Sequence, residues 1–223
     1  MSKLILNIET ATKNCAVSLS KNGQFTDQIS YAGEGYSHAE KLHVFIDEIL
    51  KRNNYLPTDL AAIAVSKGPG SYTGLRIGVS AAKALAYALD IPLISVSTLE
   101  SLAYQIQVDD GFIIPILDAR RMEVYSAVFD AKYQLVRETK ADLLDEKPFN
   151  AYFSENKVIF IGDAVPKTKE VIQHSNAVFS DIKYPSAKEM TVLSYRKFQD
   201  NDFEDVAYFE PFYLKDFIGT KKI

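Results

Sequence analysis

The sequence predicts an α/β chain built from two related halves, each opening with strands and closing with helices. Three observations carry this. Short apolar runs bounded by turn residues alternate with runs that are apolar at helical spacing. The opening order of strand, turn, strand, turn, strand is met again from residue 112 onward. Asp109-Asp110-Gly111, a polar turn, separates the two halves. No residue-level repeat accompanies this order, so the duplication rests on the elements alone.

Residues 3–8 and 15–20 read as strands around the polar turn Glu9-Thr10-Ala11-Thr12-Lys13-Asn14. Asn22-Gly23 is a tight-hairpin signal, and 24–31 comes after it as a third strand. Ser37 and Glu40 form a capping-box pattern, opening a helix with the core stripe Leu42, Phe45, Ile46, Ile49 and Leu50. Arg52-Asn53-Asn54 ends it. A buried strand at 61–65, a turn through Gly68, Pro69, Gly70 and Gly74, and a helix over 75–89 come next. Residues 91–96 read as a strand, and Ser97 with Glu100 caps a helix through about Gln107. The second half has strands at 112–117, 122–129 and 134–139, then a charged loop over 142–156 with at most a short helix. A strand at 158–161, a helix at 165–173 and a strand at 177–179 lead to a third capping box, Ser186 with Glu189, and a helix to Phe198. An acidic linker, an aromatic stretch from 208 to 213 and a basic tail close the chain.

The stretch from 61 to 89 is the most informative. A glycine turn between strand and helix points backbone N–H groups at whatever lies above it, and the helix dipole favours an anion there. Neither common phosphate loop fits. A Walker loop ends in Gly-Lys-Ser/Thr, whereas Gly74 is followed by Leu75 and Arg76; the third glycine of a dinucleotide fingerprint falls at Thr73. Lys67 and Arg76 keep an anion site open beside the purely steric reading of the glycines. The helix has two apolar stripes. One is Leu75, Gly78, Val79, Ala82, Leu85, Ala86 and Leu89; the other, roughly 120° away, is Ile77, Ala81, Ala84 and Ala88. The first suits its own sheet. The second suits a neighbouring helix, in this chain or in another subunit, and sequence leaves both readings open.

Length and composition bound the rest. A chain of 223 residues can hold one sizeable core or two small ones. A net charge of −4 gives no broad basic surface, so strong autonomous nucleic-acid binding is not expected. The single cysteine, Cys15, excludes an internal disulfide and a cysteine-based zinc site, and its apolar strand context marks a buried structural thiol. No apolar run reaches transmembrane length, and the N-terminus enters a strand without a signal-peptide profile; a cytoplasmic protein is expected.

Glu9-Thr10 ends the first strand of one half, and Asp118-Ala119-Arg120 ends the first strand of the other. If the halves are related, both acids reach the cleft between them and could hold magnesium and a phosphate. The alternative is that each caps its own turn. His38 and His43 lie five residues apart, about 140° around a helix, so one metal ion cannot take both. His174 is isolated, no serine sits in a nucleophile elbow, and the many tyrosines and phenylalanines read as core.

These segments resemble one family. NIETATKNCAVSLSKNG, SHAEKLH, SKGPGSYTGLRIGVSAAKALA, PLISVSTLESLA, LDARRMEVYSAVF and EPFYLKDF are similar to the bacterial TsaB (YeaZ, glycoprotease-like) family. The likeness spans nearly the whole chain, and GPGSYTGLRIG is its most specific part. It implies an actin-like ATPase or sugar-kinase fold with a ribonuclease-H-like sheet in each of two domains. These would be 1–108, with 208–223 returning to it, and 109–207. It also implies a non-catalytic subunit of the machinery that makes threonylcarbamoyladenosine in tRNA, next to the anticodon. Such a subunit pairs through first-domain helices with a catalytic TsaD-type paralogue, onto which a small TsaE-type ATPase docks. It forms a homodimer in isolation, meets tRNA only through the complex and has no membrane association. The helix stripes put the interface at Leu42, Phe45, Ile49, Ile77, Gly78, Ala81, Ala84 and Ala88. The catalytic relatives carry a His-x-x-x-His metal motif that this chain lacks, so neither a catalytic nor a metal residue is expected. An inherited nucleotide or anion site would use Glu9, Thr10, Gly68, Gly70 and Asp118. Glu9 stands where the superfamily has aspartate, and Gly162-Asp163-Ala164 lacks the glycine pair that admits adenine. Both departures imply no tightly bound cofactor and at most weak ATP or ADP with magnesium. Two rival readings remain: an ATP-dependent phosphotransferase using Glu9, Asp118 and the 68–74 turn, and a metallopeptidase.

Overall fold

A computed structural model describes residues 2–33, 38–154 and 156–215. In the first half, β1 (Leu4–Glu9), β2 (Cys15–Lys21) and β3 (Gln24–Tyr31) form an antiparallel meander. Strands β4 (Leu60–Gly68) and β5 (Leu93–Ser97) add in parallel beyond β1, giving the order β3-β2-β1-β4-β5. The second half repeats this with β6 (Phe112–Asp118), β7 (Glu123–Asp130), β8 (Leu135–Leu143), β9 (Val158–Ile161) and β10 (Ala177–Phe179). Its order is β10-β9-β6-β7-β8, with β6, β7 and β8 antiparallel and β6, β9 and β10 parallel. Each strand of the first sheet thus has its counterpart five strands later. The duplication read from element order is a duplication of topology.

Helices cover both faces of the first sheet. On one face, α1 (His38–Arg52) and α2 (Tyr72–Leu89) lie side by side over Leu4, Leu6, Ile8, Val17 and Leu19. On the other, α5 (Met190–Gln199) sets Met190 and Leu193 against Ile5, Ala16, Ala62, Ala64 and Ile94. The alanines leave room for the helix to come close. A buried polar chain fixes its register: Ser194 Oγ donates to Asn7 Oδ1 at 2.6 Å, and Asn7 Nδ2 donates to Ser18 Oγ at 3.2 Å. Ser18 Oγ in turn donates to the Ala187 carbonyl at 2.7 Å, so this buried polar row is internally paired. On the second sheet, α3 (Thr98–Ala103) packs Leu99, Leu102 and Ala103 on Ile113, Leu117 and Ala127. The opposite face is closed by α4 (Val165–Val171) and two 3-10 turns that carry Leu144, Phe149 and Phe153.

This packing corrects the boundary drawn from sequence. Residues 109–207 include α5, whose apolar face is buried against the first sheet, because a helix packs where a complementary surface lies, whatever its place in the chain order. The returning tail is seen as far as Lys215. Phe212 N donates to the Lys67 carbonyl at 2.7 Å, and Lys83 Nζ donates to the Phe209 carbonyl at 2.8 Å.

Element ends differ from expectation where side chains found other partners. Helix α2 starts three residues early because Ser71 caps it, its Oγ accepting from Gly74 N. Ser97 caps α3 as expected, but that helix stops at Ala103. The Ser186–Glu189 capping box does not form: the Ser186 hydroxyl donates to Gln28 Oε1 at 2.9 Å, and α5 begins at Met190. The Ser37 capping box lies outside the described residues.

Phe149 is fully buried and meets Phe160 edge-on at 5.4 Å between ring centres. Phe149→Ala is expected to cost about 3–5 kcal/mol, the range for removing a buried phenylalanine side chain. A urea titration measures it, and a loss under about 1 kcal/mol would show that the second core does not depend on this ring.

Candidate functional site

The β1–β2 turn is the centre of the site. Glu9 ends β1 on the face that carries Ile5 and Asn7, and it is fully buried. Its Oε1 accepts from Ala11 N at 2.6 Å and from Ser66 Oγ at 3.0 Å, while Oε2 has no hydrogen-bond partner among the described residues. Burial pushes the carboxyl up to about 7, against the pull of the Ala11, Ser66 and Thr10 donors.

The glycine turn packs directly onto this corner. Thr10 Oγ1 donates to the Gly74 carbonyl at 2.8 Å, and Ser71 N donates to the Ala11 carbonyl at 2.7 Å. A Cβ on Gly74 would meet the Thr10 carbonyl, and one on Gly78 would meet the Thr10 hydroxyl, both well inside contact distance. Gly70 is pressed against the Ala11 carbonyl in the same way. Gly68 takes φ +114°, donates its N–H to Thr98 Oγ1 at 3.1 Å, and has the Phe212 carbonyl lying over it. The Gly68, Ser71 and Gly74 amides are therefore all committed within the chain. Gly70, Gly74 and Gly78 thus allow the close approach that the steric reading requires.

Asp118 ends β6 as Glu9 ends β1. Its Oδ1 accepts from Arg120 N at 3.1 Å, matching the Ala11–Glu9 bond two residues on. Each acid caps its own turn, the alternative stated for both. Asp118 is also ion-paired with Lys167, and Asp118 N donates to Asp163 Oδ1 at 2.8 Å. Lys13, in the first half's turn, is among the charges acting on Asp163, so the two turns lie near one another. Glu9 is fully buried, whereas Asp118 is exposed and paired with Lys167.

The histidines obey the geometric argument. His38 is buried with Nε2 2.8 Å from the Thr12 carbonyl, and His43 is exposed. His174 stacks on Phe153. Among the described residues no three of His, Cys, Asp and Glu cluster as metal ligands would. Burial pushes the Cys15 thiol up to about 11, as suits a structural cysteine.

A family profile described as "TsaD: tRNA N6-adenosine threonylcarbamoyltransferase" matches residues 35–220. The tRNA threonylcarbamoyladenosine biosynthesis protein TsaB of Bacillus subtilis is 34% identical over 76% of this chain and 75% of its own. This chain belongs to the TsaB family. The Escherichia coli TsaB is 28% identical over 98% of this chain and 97% of its own. YeaZ from Pseudomonas aeruginosa superposes with a TM-score of 0.83 at 22% identity, over 95% of this chain and 100% of that one. The Acidaminococcus fermentans (R)-2-hydroxyglutaryl-CoA dehydratase component A reaches 0.51 at 11% identity, over 88% and 98%. The two-domain α/β fold is of the actin-like ATPase class.

The helical face named from sequence divides in this TsaB chain. Leu42 and Ile49 of α1 are fully buried in the first core, Gly78 faces Thr10, and Ala81 is 5% exposed. These four cannot offer side chains to a partner, because the in-chain α1–α2 pair and the β1–β2 turn already cover them. Phe45 and Ile77 are half-buried, and Ala84 and Ala88 are exposed. The outward stripe of α2 is Thr73, Arg76, Ile77, Ser80, Ala84, Tyr87 and Ala88, with Tyr87 82% exposed and Val44 of α1 58% exposed. Thr98, which holds Gly68, and the Tyr72–Tyr213 ring pair at 5.1 Å went unread in the sequence; both lie at contacts between segments distant in the chain.

The raised carboxyl of Glu9 has a pH consequence. An acid whose folded pKa lies above its unfolded value adds stability below about 4.5, and that stability is lost as pH rises through about 7. The full swing is on the order of 3 kcal/mol. Asp163, also raised by burial, adds in the same direction. Glu9→Gln is expected to match or exceed the parent's thermal stability at pH 8 and to lose that advantage toward pH 5. Parallel melting curves for the two proteins across that range would refute the assignment.

Proposed function

We propose that this chain is a non-catalytic TsaB subunit that pairs with a TsaD-type catalytic paralogue in tRNA threonylcarbamoyladenosine synthesis and activates it. The observation that carries the reading is the outward stripe of α2. Its small and apolar residues let a facing helix approach closely, and Tyr87 and Val44 supply the apolar surface to be covered. A TsaE-type ATPase docks on that pair, the same stripe forms a homodimer when the partner is absent, and the complex works in the cytoplasm. The committed amides of the glycine turn and the lysine-paired Asp118 support a chain that holds Mg-ATP or Mg-ADP weakly at most. The phosphotransferase alternative gains nothing from this geometry.

Ala84→Arg and Ala88→Arg place a cation on the proposed contact without touching the core. Each is expected to weaken co-elution with the catalytic paralogue at least tenfold, about 1.4 kcal/mol, with the melting temperature unchanged. Ala81→Glu buries a charge and is expected to unfold the chain instead. Undiminished co-elution of both arginine variants would overturn the assignment of this face. Calorimetric titration with Mg-ATP checks the nucleotide reading; a sub-millimolar Kd lost in Asp118→Ala would overturn it.

A further inference from the structure

We propose that Arg120 and Arg121, at the tip of the β6–β7 hairpin, form a contact for the phosphodiester backbone of RNA. The backbone supplies the first observation. Both arginines sit at positive φ, +69° and +50°, a left-handed conformation that is sterically unfavourable for a non-glycine residue. The tight hairpin between β2 and β3 meets the same need with Asn22 and Gly23 at φ +52° and +77°. Arg120 and Arg121 are consecutive residues in that conformation, and both are exposed at the tip.

Charge supplies the second. Every carboxylate around the tip already has a lysine: Asp118 pairs with Lys167, Glu123 pairs with Lys215, and Asp163 feels Lys13. Among the described residues neither guanidinium has an ion pair or a side-chain hydrogen bond. The hairpin therefore carries two uncompensated charges on a chain whose net charge is −4. Guanidinium forks match phosphate oxygens in pairs, and an exposed tip reaches a groove or a strand without desolvating its neighbours. The contact is local, in keeping with a chain that has no broad basic surface. It rests on the reading above only in taking tRNA as the RNA.

The test is the Arg120→Asn/Arg121→Gly double variant, which gives the turn its preferred residues while removing both charges. Binding of bulk tRNA is measured against salt concentration, for the chain reconstituted with its catalytic and ATPase partners and for the chain alone. The variant is expected to melt at the same or a higher temperature, to co-elute normally with the catalytic paralogue, and to bind tRNA at least tenfold more weakly. Its log K against log salt should be shallower by about 1.5, the loss of two phosphate contacts. Equal affinity and slope would overturn the proposal. So would loss of the protein partner with tRNA binding intact, which would point to an acidic protein segment at the tip. No tRNA binding by the parent in either form would also overturn it. The expected loss of tRNA binding in a chain that never co-elutes with the paralogue would instead sink the subunit reading and leave this contact standing.

Discussion

Both helices on the outer face of the first sheet hang on one corner, the β1–β2 turn. His38 anchors the start of α1 to the Thr12 carbonyl, and Gly70, Gly74 and Gly78 let the start of α2 rest on Thr10 and Ala11. Hydrogen bonds from Thr10 to Gly74 and from Ser71 to Ala11 then lock the approach. A single Cβ at Gly74 would have to displace backbone, which a close-packed interior does not absorb cheaply. The position of α2, and so the direction in which its outer stripe points, depends on this contact.

The same corner engages the glycine turn, which itself meets the returning tail. The Gly68, Ser71 and Gly74 amides donate to Thr98, Ala11 and Ser71, so three N–H groups of the turn are bonded within the chain. Glu9 is buried beneath the turn, where a carboxyl is more easily held neutral than ionised. The returning tail lies over Gly68 and continues to the second half, where Lys215 bonds the Ala119 carbonyl and the Glu123 carboxylate. The outer helical face stays exposed at Ala84, Tyr87 and Ala88, while the tail ties the two halves together.

The two halves kept topology and let chemistry drift. Glu9 and Asp118 cap equivalent turns, and Gly68 and Gly162, both at positive φ, end the equivalent strands β4 and β9. The helices after those glycines differ. Helix α2 runs from Tyr72 to Leu89 and is tied to its turn, whereas α4 spans only Val165–Val171 and sends Lys167 back to Asp118. In place of a counterpart to α1, the second half has two 3-10 turns with Phe149 and Phe153 closing the core.

Sequence by itself determined the strands, the duplicated order, the two-faced helix and the wrong spacing of His38 and His43, because periodicity and turn chemistry are local. It also carried the family, through motifs that survive as contiguous runs. Tertiary structure alone decided that Leu42, Ile49, Gly78 and Ala81 face inward while Ala84, Tyr87 and Ala88 face out, since an apolar stripe does not say which of two neighbours covers it. It decided that α5 closes the first sheet, through Asn7, Ser18 and Ser194, residues too polar and too far apart in sequence to read as core. And it decided that Gly70, Gly74 and Gly78 lie against Thr10 and Ala11, a contact between segments far apart in the chain.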